Sequence, residues 1–290
     1  MVVRLASSAV RVMAPRFGLH CPSSSEFTMN VNNIHTNQPT SKHTRLAAFW
    51  AVLGALGTLA VFPYLATLNQ SSTPSLPLPL PVLAIASATQ SGVLLFILGW
   101  IGLRLGRSLG LDTPFARAFV YGLKRPALSK RAIHFALISG FLGGFVILGL
   151  AFLFQPFMPQ TAQSTTLNIA LWKRALASFY GGITEELLLR LFLMTLIAWV
   201  FWKIGLREGE QPSRLAFWLA IALSALLFGV GHLPSAAALW SLTPIVITRT
   251  ILLNSLLGIA FGFLYWQWGL EYAMLSHFCA DIVLHIIGGS

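Results

Sequence analysis

Two acidic residues and an arginine interrupt an apolar stretch of this chain in a pattern that can support chemistry. Glu185 and Glu186 are adjacent, and Arg190 follows Glu186 by four residues. That spacing favours a helical ion pair between Glu186 and Arg190, whereas Glu185 lies about 100° round the helix and has no local cation. Each charge at a bilayer centre costs about 2.5–3.5 kcal/mol, so we expect these groups to pair or to serve a function. Gly181 and Gly182 precede them and can loosen the helix and admit water.

Two later apolar stretches each place a histidine four residues from a second side chain. His232 follows Phe228, and His277 precedes Asp281. Residues four apart project from one face of a helix. Unpaired burial of four formal charges would cost on the order of 10 kcal/mol, so we expect all three stretches to share one hydrated cavity.

Each of these elements also has a purely structural interpretation. The Glu186–Arg190 pair could be a structural ion pair, His232 a core histidine with a satisfied ring, and the His277–Asp281 pair a helix-packing hydrogen bond. Glu185 is hardest to explain in this way, because its neighbourhood in the sequence offers no partner.

The composition is that of a membrane protein. Of 290 residues, 56% are hydrophobic and only 9% are charged, against about 25% charged in soluble domains. Several apolar runs approach 20 residues, enough to cross a bilayer. The sequence predicts an all-α, polytopic membrane helical bundle with about seven transmembrane helices. The predicted spans are 46–68, 81–103, 132–154, 172–202, 215–233, 245–266 and 270–287.

The net charge of +11 comes from basic residues that flank the apolar runs. Because they form no single patch, we expect membrane lipids and no nucleic acid as partners. The alternate connections hold 15 lysines and arginines on one side against two on the other, which predicts a cytoplasmic N-terminus. Seven of the 15 lie in the connection 104–131: Arg104, Arg107, Arg117, Lys124, Arg125, Lys130 and Arg131.

The domain organisation is simple. Residues 1–41 are polar, and we interpret them as a disordered or spurious N-terminal extension, with Met29 as an alternative start. Residues 42–290 form a single transmembrane helical domain. The expected location is a bacterial inner (plasma) membrane. Two cysteines, Cys21 and Cys279, do not make a disulfide framework.

The order Glu-Glu-x-x-x-Arg, Phe-x-x-x-His and His-x-x-x-Asp on successive apolar spans resembles the CPBP family. These are the CAAX prenyl endopeptidases and bacteriocin-processing proteins, also called the ABI family. The resemblance covers about residues 130–290, the protease-like core. It implies a membrane-embedded endopeptidase that hydrolyses a peptide bond of a membrane-associated protein or peptide, in CAAX-type or leader-peptide processing.

The resemblance also implies roles for individual residues. Glu185 would activate water with the help of His232, and Glu186, held by Arg190, would support the geometry. His277 and residue 281 would face the scissile carbonyl.

Asp281 does not suit this role in its ionised form, because an ionised carboxylate cannot donate a hydrogen bond to an oxyanion. It is therefore protonated, orients His277, or binds a metal. A zinc ion, if present, would be held by Glu185, His232, His277 and Asp281. We prefer a metal-free enzyme with no certain cofactor, because the chain has no short His-Glu-x-x-His motif.

Two other functions remain open at this point: a proton-coupled transporter, and a catalytically inactive immunity or scaffold protein of the same fold. The ionisable groups concentrate in the second half of the chain, whereas transporters often have two similar halves, which favours the protease. The sequence does not predict the oligomeric state.

The predicted spans place His232 and His277 about 17 and 7 residues into parallel helices, so straight helices would separate the two by about 15 Å at 1.5 Å per residue, which conflicts with a shared cavity. Either the span boundaries are several residues off, or the helices break near Gly231 and Pro234, or the topology is different. Glu271, at the start of the last span, is expected to be solvated.

Overall fold

The computed structural model describes residues 42–69, 78–160 and 169–288. The helices are α1 (Lys42–Asn69), α2 (Leu80–Leu109), α3 (Pro114–Tyr121), α4 (Lys130–Phe154), α5 (Leu171–Phe179), α6 (Thr195–Lys203), α7 (Arg214–Gly231), α8 (Leu233–Ala237), α9 (Pro244–Trp268) and α10 (Leu270–Asp281). Two π-helical segments, Tyr180–Glu185 and Leu187–Met194, join α5 to α6, and a third, Ile282–Ile287, follows α10. A 3-10 turn over Gln155–Phe157 ends α4. The antiparallel strands β1 (Arg207–Glu208) and β2 (Gln211–Pro212) form a short hairpin between α6 and α7.

The prediction of an all-α membrane bundle is confirmed. Within the described residues, six helices are long and apolar enough to cross a membrane, and they match six of the seven predicted spans to within six residues at either end. They are His43–Thr67, Leu80–Leu109, Lys130–Phe157, Arg214–Ala237, Pro244–Trp268 and Leu270–Ile287. The predicted span 172–202 is also helical from residue 171 to residue 203, but the two π segments divide it. The prediction for residues 1–41 lies outside the described residues.

The ends of the helices follow from local chemistry. Ser129 and Ser213 cap α4 and α7, since each hydroxyl accepts the backbone N–H three residues later at 3.2 Å. Gly110 and Gly122 end α2 and α3 with φ of 72° and 63°, a left-handed conformation that glycine adopts without strain.

The helices approach one another closely where glycines face a neighbouring backbone. A Cβ at Gly140 of α4 would overlap the Ser276 carbonyl of α10, and one at Gly229 of α7 would lie 2.6 Å from the Ile251 carbonyl oxygen of α9. Small residues allow such contact between transmembrane helices, where van der Waals packing has to replace the hydrophobic effect. This packing fixes α10, which carries His277, and α7, which ends immediately before His232.

Helix α3 lies in the connection 104–131, and its position explains the surroundings of Glu271. The prediction that Glu271 is solvated is wrong: its Oε1 accepts the N–H groups of Phe115 and Ala116, at 2.9 Å each. These are orphan donors in the first turn of α3, where a carboxylate is favoured by the helix dipole. Glu271 thereby ties α3 to the first turn of α10.

Candidate active site

The two π segments place the paired glutamates on a widened helix. Glu185 ends the first segment, and Glu186 lies between the two. A π turn adds one residue per hydrogen-bonded turn and is found mostly at functional sites. The segment is anchored by Thr184, whose hydroxyl donates to the Gly54 carbonyl of α1 at 3.0 Å.

Glu186 is the centre of a buried polar cluster. Its Oε1 lies 3.0 Å from Arg190 Nη1, so the ion pair expected from the spacing is present. The same oxygen lies 2.7 Å from His277 Nδ1, and Arg190 Nη2 donates to the Gly258 carbonyl at 3.1 Å. The three side chains are almost fully buried, with exposed fractions of 0% for Glu186, 1% for Arg190 and 4% for His277.

Two phenylalanines enclose this cluster. The Arg190 guanidinium lies 5.0 Å from the ring centre of Phe228 and 5.3 Å from that of Phe261. The His277 ring stacks on Phe261 at 4.5 Å with an interplanar angle of 17°. Aromatic faces attract cations and exclude water, so they strengthen the ion pair that they cover. Phe228 belongs to the second motif, but sequence reasoning did not identify Phe261.

Glu185 lies between the two histidines on a more open side of the site. Its Oε1 is 4.0 Å from His232 Nε2, and its Oε2 is 3.7 Å from His277 Nε2. The side chains of Glu185 and His232 are 20% and 31% exposed. These separations exceed a direct hydrogen bond and are of the size that a bridging water or substrate atom spans.

Both imidazoles present the same nitrogen to Glu185. His232 Nδ1 lies 2.9 Å from the Phe228 carbonyl oxygen, which can only accept, so Nδ1 carries the proton. In the neutral ring, Nε2 then has a free lone pair. The 2.7 Å contact of His277 Nδ1 with Glu186 likewise leaves Nε2 of His277 directed at Glu185 and Asp281.

The separation of about 15 Å that straight helices would impose on the two histidines is absent, since Glu185 lies within 4.0 Å of both rings. Helical side chains lean toward the N-terminus, and the His232 ring folds back one turn to bond the Phe228 carbonyl. Helix α7 ends at Gly231, and a new short helix begins at Leu233. The ring of His232 therefore lies about one turn closer to the start of α7 than its backbone does.

Asp281 approaches His277 without bonding to it directly. The distance from Asp281 Oδ1 to His277 Nε2 is 3.6 Å, whereas the hydrogen bond of His277 goes to Glu186. The interpretation of the His277–Asp281 pair as a helix-packing hydrogen bond is therefore wrong. Glu186, on another helix, is the residue that orients the His277 ring, because it holds Nδ1 at 2.7 Å.

Gly181 is a site residue whose contacts sequence reasoning did not anticipate. A Cβ at this position would overlap Asp281 Oδ2 and lie 3.0 Å from His277 Nε2. Only glycine leaves the space beside these two groups open. The signal in the sequence was the glycine pair before the glutamates, which we interpreted as a source of helix flexibility.

The four candidate zinc ligands do not surround one metal position. Among the described residues, no group of three or more His, Cys, Asp or Glu side chains has the arrangement that holds a metal ion. The residues as placed therefore do not fit a zinc ion, and we derive no chemical step through one.

The fold and the cluster define the class of protein first: a helical membrane protein that holds a glutamate–histidine site between its helices. Residues 166–283 match the family described as Type II CAAX prenyl endopeptidase Rce1-like. The match spans every residue of the cluster, and it confirms the resemblance to the CPBP family over this part of the chain. Comparisons with curated proteins and with solved structures gave no significant match.

Proposed function

We propose that this protein is a membrane-embedded endopeptidase that hydrolyses a peptide bond of a membrane-associated protein or peptide, in CAAX-type or leader-peptide processing. One observation carries the proposal: the Glu185 carboxylate lies between the Nε2 atoms of His232 and His277, at 4.0 and 3.7 Å. The family match over residues 166–283 supports the same reaction class. Six apolar helices support an integral membrane protein.

In the proposed first step, a water molecule binds between Glu185 and His232. Glu185 removes one proton from it, and the oxygen attacks the carbonyl carbon of the scissile bond. His232 orients the water by accepting its other hydrogen at Nε2, the nitrogen left free by the bond to Phe228. Glu185 then delivers the abstracted proton to the amide nitrogen as the C–N bond breaks. A positioned base of this kind contributes typically 10²- to 10⁴-fold in rate.

The carbonyl oxygen gains negative charge in this step and requires donors. His277 can supply one when each of its ring nitrogens carries a proton, because Nδ1 donates to Glu186 and Nε2 faces the open site. Arg190 neutralises Glu186 and fixes its position, which keeps the His277 ring oriented. Asp281 supports the same oxygen in its protonated form, since only the acid can donate. Donors held in advance of the reaction are the largest contribution in most enzymes of this kind.

The test is a cleavage assay on protein purified in detergent, with a prenylated CAAX peptide and a set of leader-type peptides carrying a fluorophore and a quencher. We expect Glu185→Gln to lower kcat/KM by about 10²- to 10⁴-fold and His232→Ala to lower it substantially. Glu208→Gln in the exposed hairpin is the matched control and should retain full activity. Equal activity of Glu185→Gln and the unmodified protein would rule out the base assignment.

The same assay addresses the alternatives. A transporter or an inactive scaffold protein cleaves none of the peptides. A chelator should leave the rate unchanged in the metal-free mechanism, and activity that is lost on chelation and restored by zinc would replace that mechanism.

A further inference from the structure

A buried histidine at the start of α1 lies among an excess of positive charge. His43 is 5% exposed, and its Nδ1 atom has no hydrogen-bond partner among the described residues. The charged groups that act most strongly on its ring are three cations and one anion: Arg117, Arg107 and Arg104, and Asp112. A buried polar atom without a partner is unfavourable, so a negatively charged ligand that accepts a hydrogen bond from His43 suits this place.

Only part of this positive charge is neutralised by the acid. Arg117 donates to both carboxylate oxygens of Asp112, at 2.6–2.9 Å. Arg104 is exposed on α2, and its guanidinium lies 5.6 Å from the ring centre of Trp100. The first N–H groups of α1 add partial positive charge beside His43. Cations remain in excess around the ring, and this favours an anion.

An apolar groove lies between α1 and α2, deeper in the membrane than this charged cluster. Trp50 of α1 donates to Thr113, just beyond the end of α2, at 3.2 Å, so the start of α1 lies beside the end of α2. The groove has a volume of about 390 Å³. Its lining is almost entirely apolar and includes Ala51, Ala55, Ala88, Gly92 and Val93.

The groove and the cations lie on one continuous face of the two helices. On α2, Val93 lines the groove, and Trp100 and Arg104 follow it at intervals of seven and four residues, which keeps them on the same side of the helix. On α1, Val52 lines the groove, and the exposed Arg45 precedes it by seven residues. Tryptophan and arginine beside an apolar surface are typical of the membrane–water interface.

The depth of the groove matches that of a lipid chain. From Arg45 to Val52 the helix rises by about 10 Å, and from Val52 to Leu59, at the other end of the groove, it rises by about another 10 Å. One leaflet has a hydrocarbon thickness of about 15 Å, half that of the bilayer. A lipid whose headgroup lies at the arginines therefore has its acyl chains at the level of the groove.

We propose that this face binds an anionic phospholipid. Its phosphate lies among His43, Arg104 and Arg107, and one acyl chain lies in the groove between α1 and α2. A free anion would leave the groove unused, and a lipid without net charge would leave the cations unmatched. Thr184, beside the paired glutamates, is hydrogen-bonded to Gly54 of α1, so the lipid stabilises the helix that anchors the candidate active site. The proposal does not depend on the endopeptidase function.

Native mass spectrometry of the full chain, purified and freed of lipid in a neutral detergent, tests the proposal. The protein is titrated with dioleoyl phosphatidylglycerol, or with dioleoyl phosphatidylcholine, which has the same chains but no net charge. We expect phosphatidylglycerol to bind about tenfold more tightly or better, because each basic residue near an anionic headgroup contributes a factor of about five. Equal affinities for the two lipids overturn the proposal.

Two pairs of arginine substitutions separate a built site from general attraction between opposite charges. Arg104→Gln with Arg107→Gln removes cations near His43, and Arg125→Gln with Arg131→Gln removes the same charge from exposed positions in the same connection. We expect the first pair to raise the Kd for phosphatidylglycerol about 30-fold, or about 2 kcal/mol at 1.4 kcal/mol per tenfold. The second pair should raise it by no more than about twofold, because salt screens distant charges. Equal losses overturn the proposal.

Two further variants test the histidine and the groove separately. His43→Phe keeps an aromatic ring but removes the nitrogen atoms, and we expect the Kd to rise about tenfold, as for a lost hydrogen bond to a charged group. Thr89→Trp fills the groove, whereas Gln90→Trp places the same side chain on the adjacent exposed position outside it. We expect weaker binding in Thr89→Trp and unchanged binding in Gln90→Trp. Unchanged binding in either His43→Phe or Thr89→Trp overturns the proposal, even if the arginine pair fails to fold.

The same spectra distinguish the lipid from other occupants. Inorganic phosphate added in excess should leave phosphatidylglycerol bound, because phosphate makes no use of the groove. Displacement of the lipid by phosphate would assign the site to a free anion and overturns the proposal. A peak of protein dimer in place of the lipid-bound monomer would assign the groove to a second copy of the chain and overturns it as well.

Discussion

Glu185 and Glu186 are neighbours in the chain, but they lie in opposite surroundings. Glu186, Arg190 and His277 form what we call the buried half of the site, joined by contacts of 2.7 and 3.0 Å. Glu185 and His232 form the open half, where the separations from Glu185 to the imidazoles are 3.7–4.0 Å. A glutamate side chain is thus held in a fixed position in the buried half, whereas in the open half a glutamate side chain has space around it.

This difference separates the residues that position the site from those that we propose take part in the reaction. A buried charge held by two short contacts cannot take up or release a proton without disturbing its partners. A partly exposed carboxylate with no direct hydrogen bond to either histidine can exchange a proton with a water between them. The buried half is therefore expected to stabilise the fold, and the open half to carry the proposed reaction. Substitutions in each half test this division.

The largest effect on stability should come from Arg190→Met. The substitution retains much of the side-chain volume but leaves the carboxylate of Glu186 buried without its cation. Breaking a buried pair in this way costs about 3–5 kcal/mol, so we expect a large fall in Tm and, with it, loss of cleavage. The measurement is thermal unfolding in detergent, followed by intrinsic tryptophan fluorescence.

The matched control for Arg190→Met is Glu185→Gln, which removes a charge from the open half. Because Glu185 is partly exposed, we expect its stability to change by no more than about 0.5 kcal/mol. Similar losses of Tm in the two variants would show that the open half stabilises the fold as much as the buried half does.

The next effect, on activity, should come from Gly181→Ala. The new Cβ overlaps the end of the Asp281 side chain and crowds His277 Nε2, so Asp281 has to rotate away from the position it holds. We expect kcat/KM to fall at least tenfold, which corresponds to about 1.4 kcal/mol of transition-state stabilisation. Steady-state kinetics with the peptide cleaved most rapidly provides the measurement.

Gly149→Ala is the control for this substitution, since a Cβ there meets no atom within 4 Å. It should leave kcat/KM unchanged, and it can raise stability slightly because alanine favours the helix by about 0.5–1 kcal/mol. Unchanged kinetics of Gly181→Ala would mean that neither Asp281 nor the space beside it matters for cleavage.

Much of the site was predictable from the sequence because its strongest signals are local. The spacing of Glu186 and Arg190 predicted a helical ion pair, and the structure contains it. The cost of stranding charges in lipid predicted that three apolar stretches would meet, and Glu185 does contact both His232 and His277. These inferences needed only the helical period and the free energy of a buried charge.

What could not be predicted depends on contacts between helices. The spacing of His277 and Asp281 predicted that they would meet, and they lie 3.6 Å apart, but the hydrogen bond of His277 goes to Glu186 on another helix. The π segments change the helical register around the two glutamates, and no residue type specifies such a distortion. How far the His232 ring extends into the bundle depends on its side-chain rotamer, which the spacing of residues in the sequence does not determine.

The smallest effect should come from Glu271→Ala, which tests whether the docking of α3 on α10 helps to position the buried half. The substitution removes the carboxylate that accepts the N–H groups of Phe115 and Ala116. Loss of such a cap costs about 0.5–2 kcal/mol. We expect the low end of that range, because Glu271 Oε2 is buried and has no hydrogen-bond partner among the described residues, so its removal offsets part of the loss.

Two measurements separate the local from the distant consequence of Glu271→Ala, with Glu208→Ala in the exposed hairpin as the control. Hydrogen exchange at the amides of Phe115 and Ala116 should accelerate, since their acceptor is gone. The value of kcat should stay within about twofold, a difference of roughly 0.4 kcal/mol in the barrier, because His277 lies six residues further along α10 and is held by Glu186. A fall in kcat as large as that of Gly181→Ala would instead show that the position of His277 depends on the docking of α3, and that the buried half extends to the contact between α3 and α10.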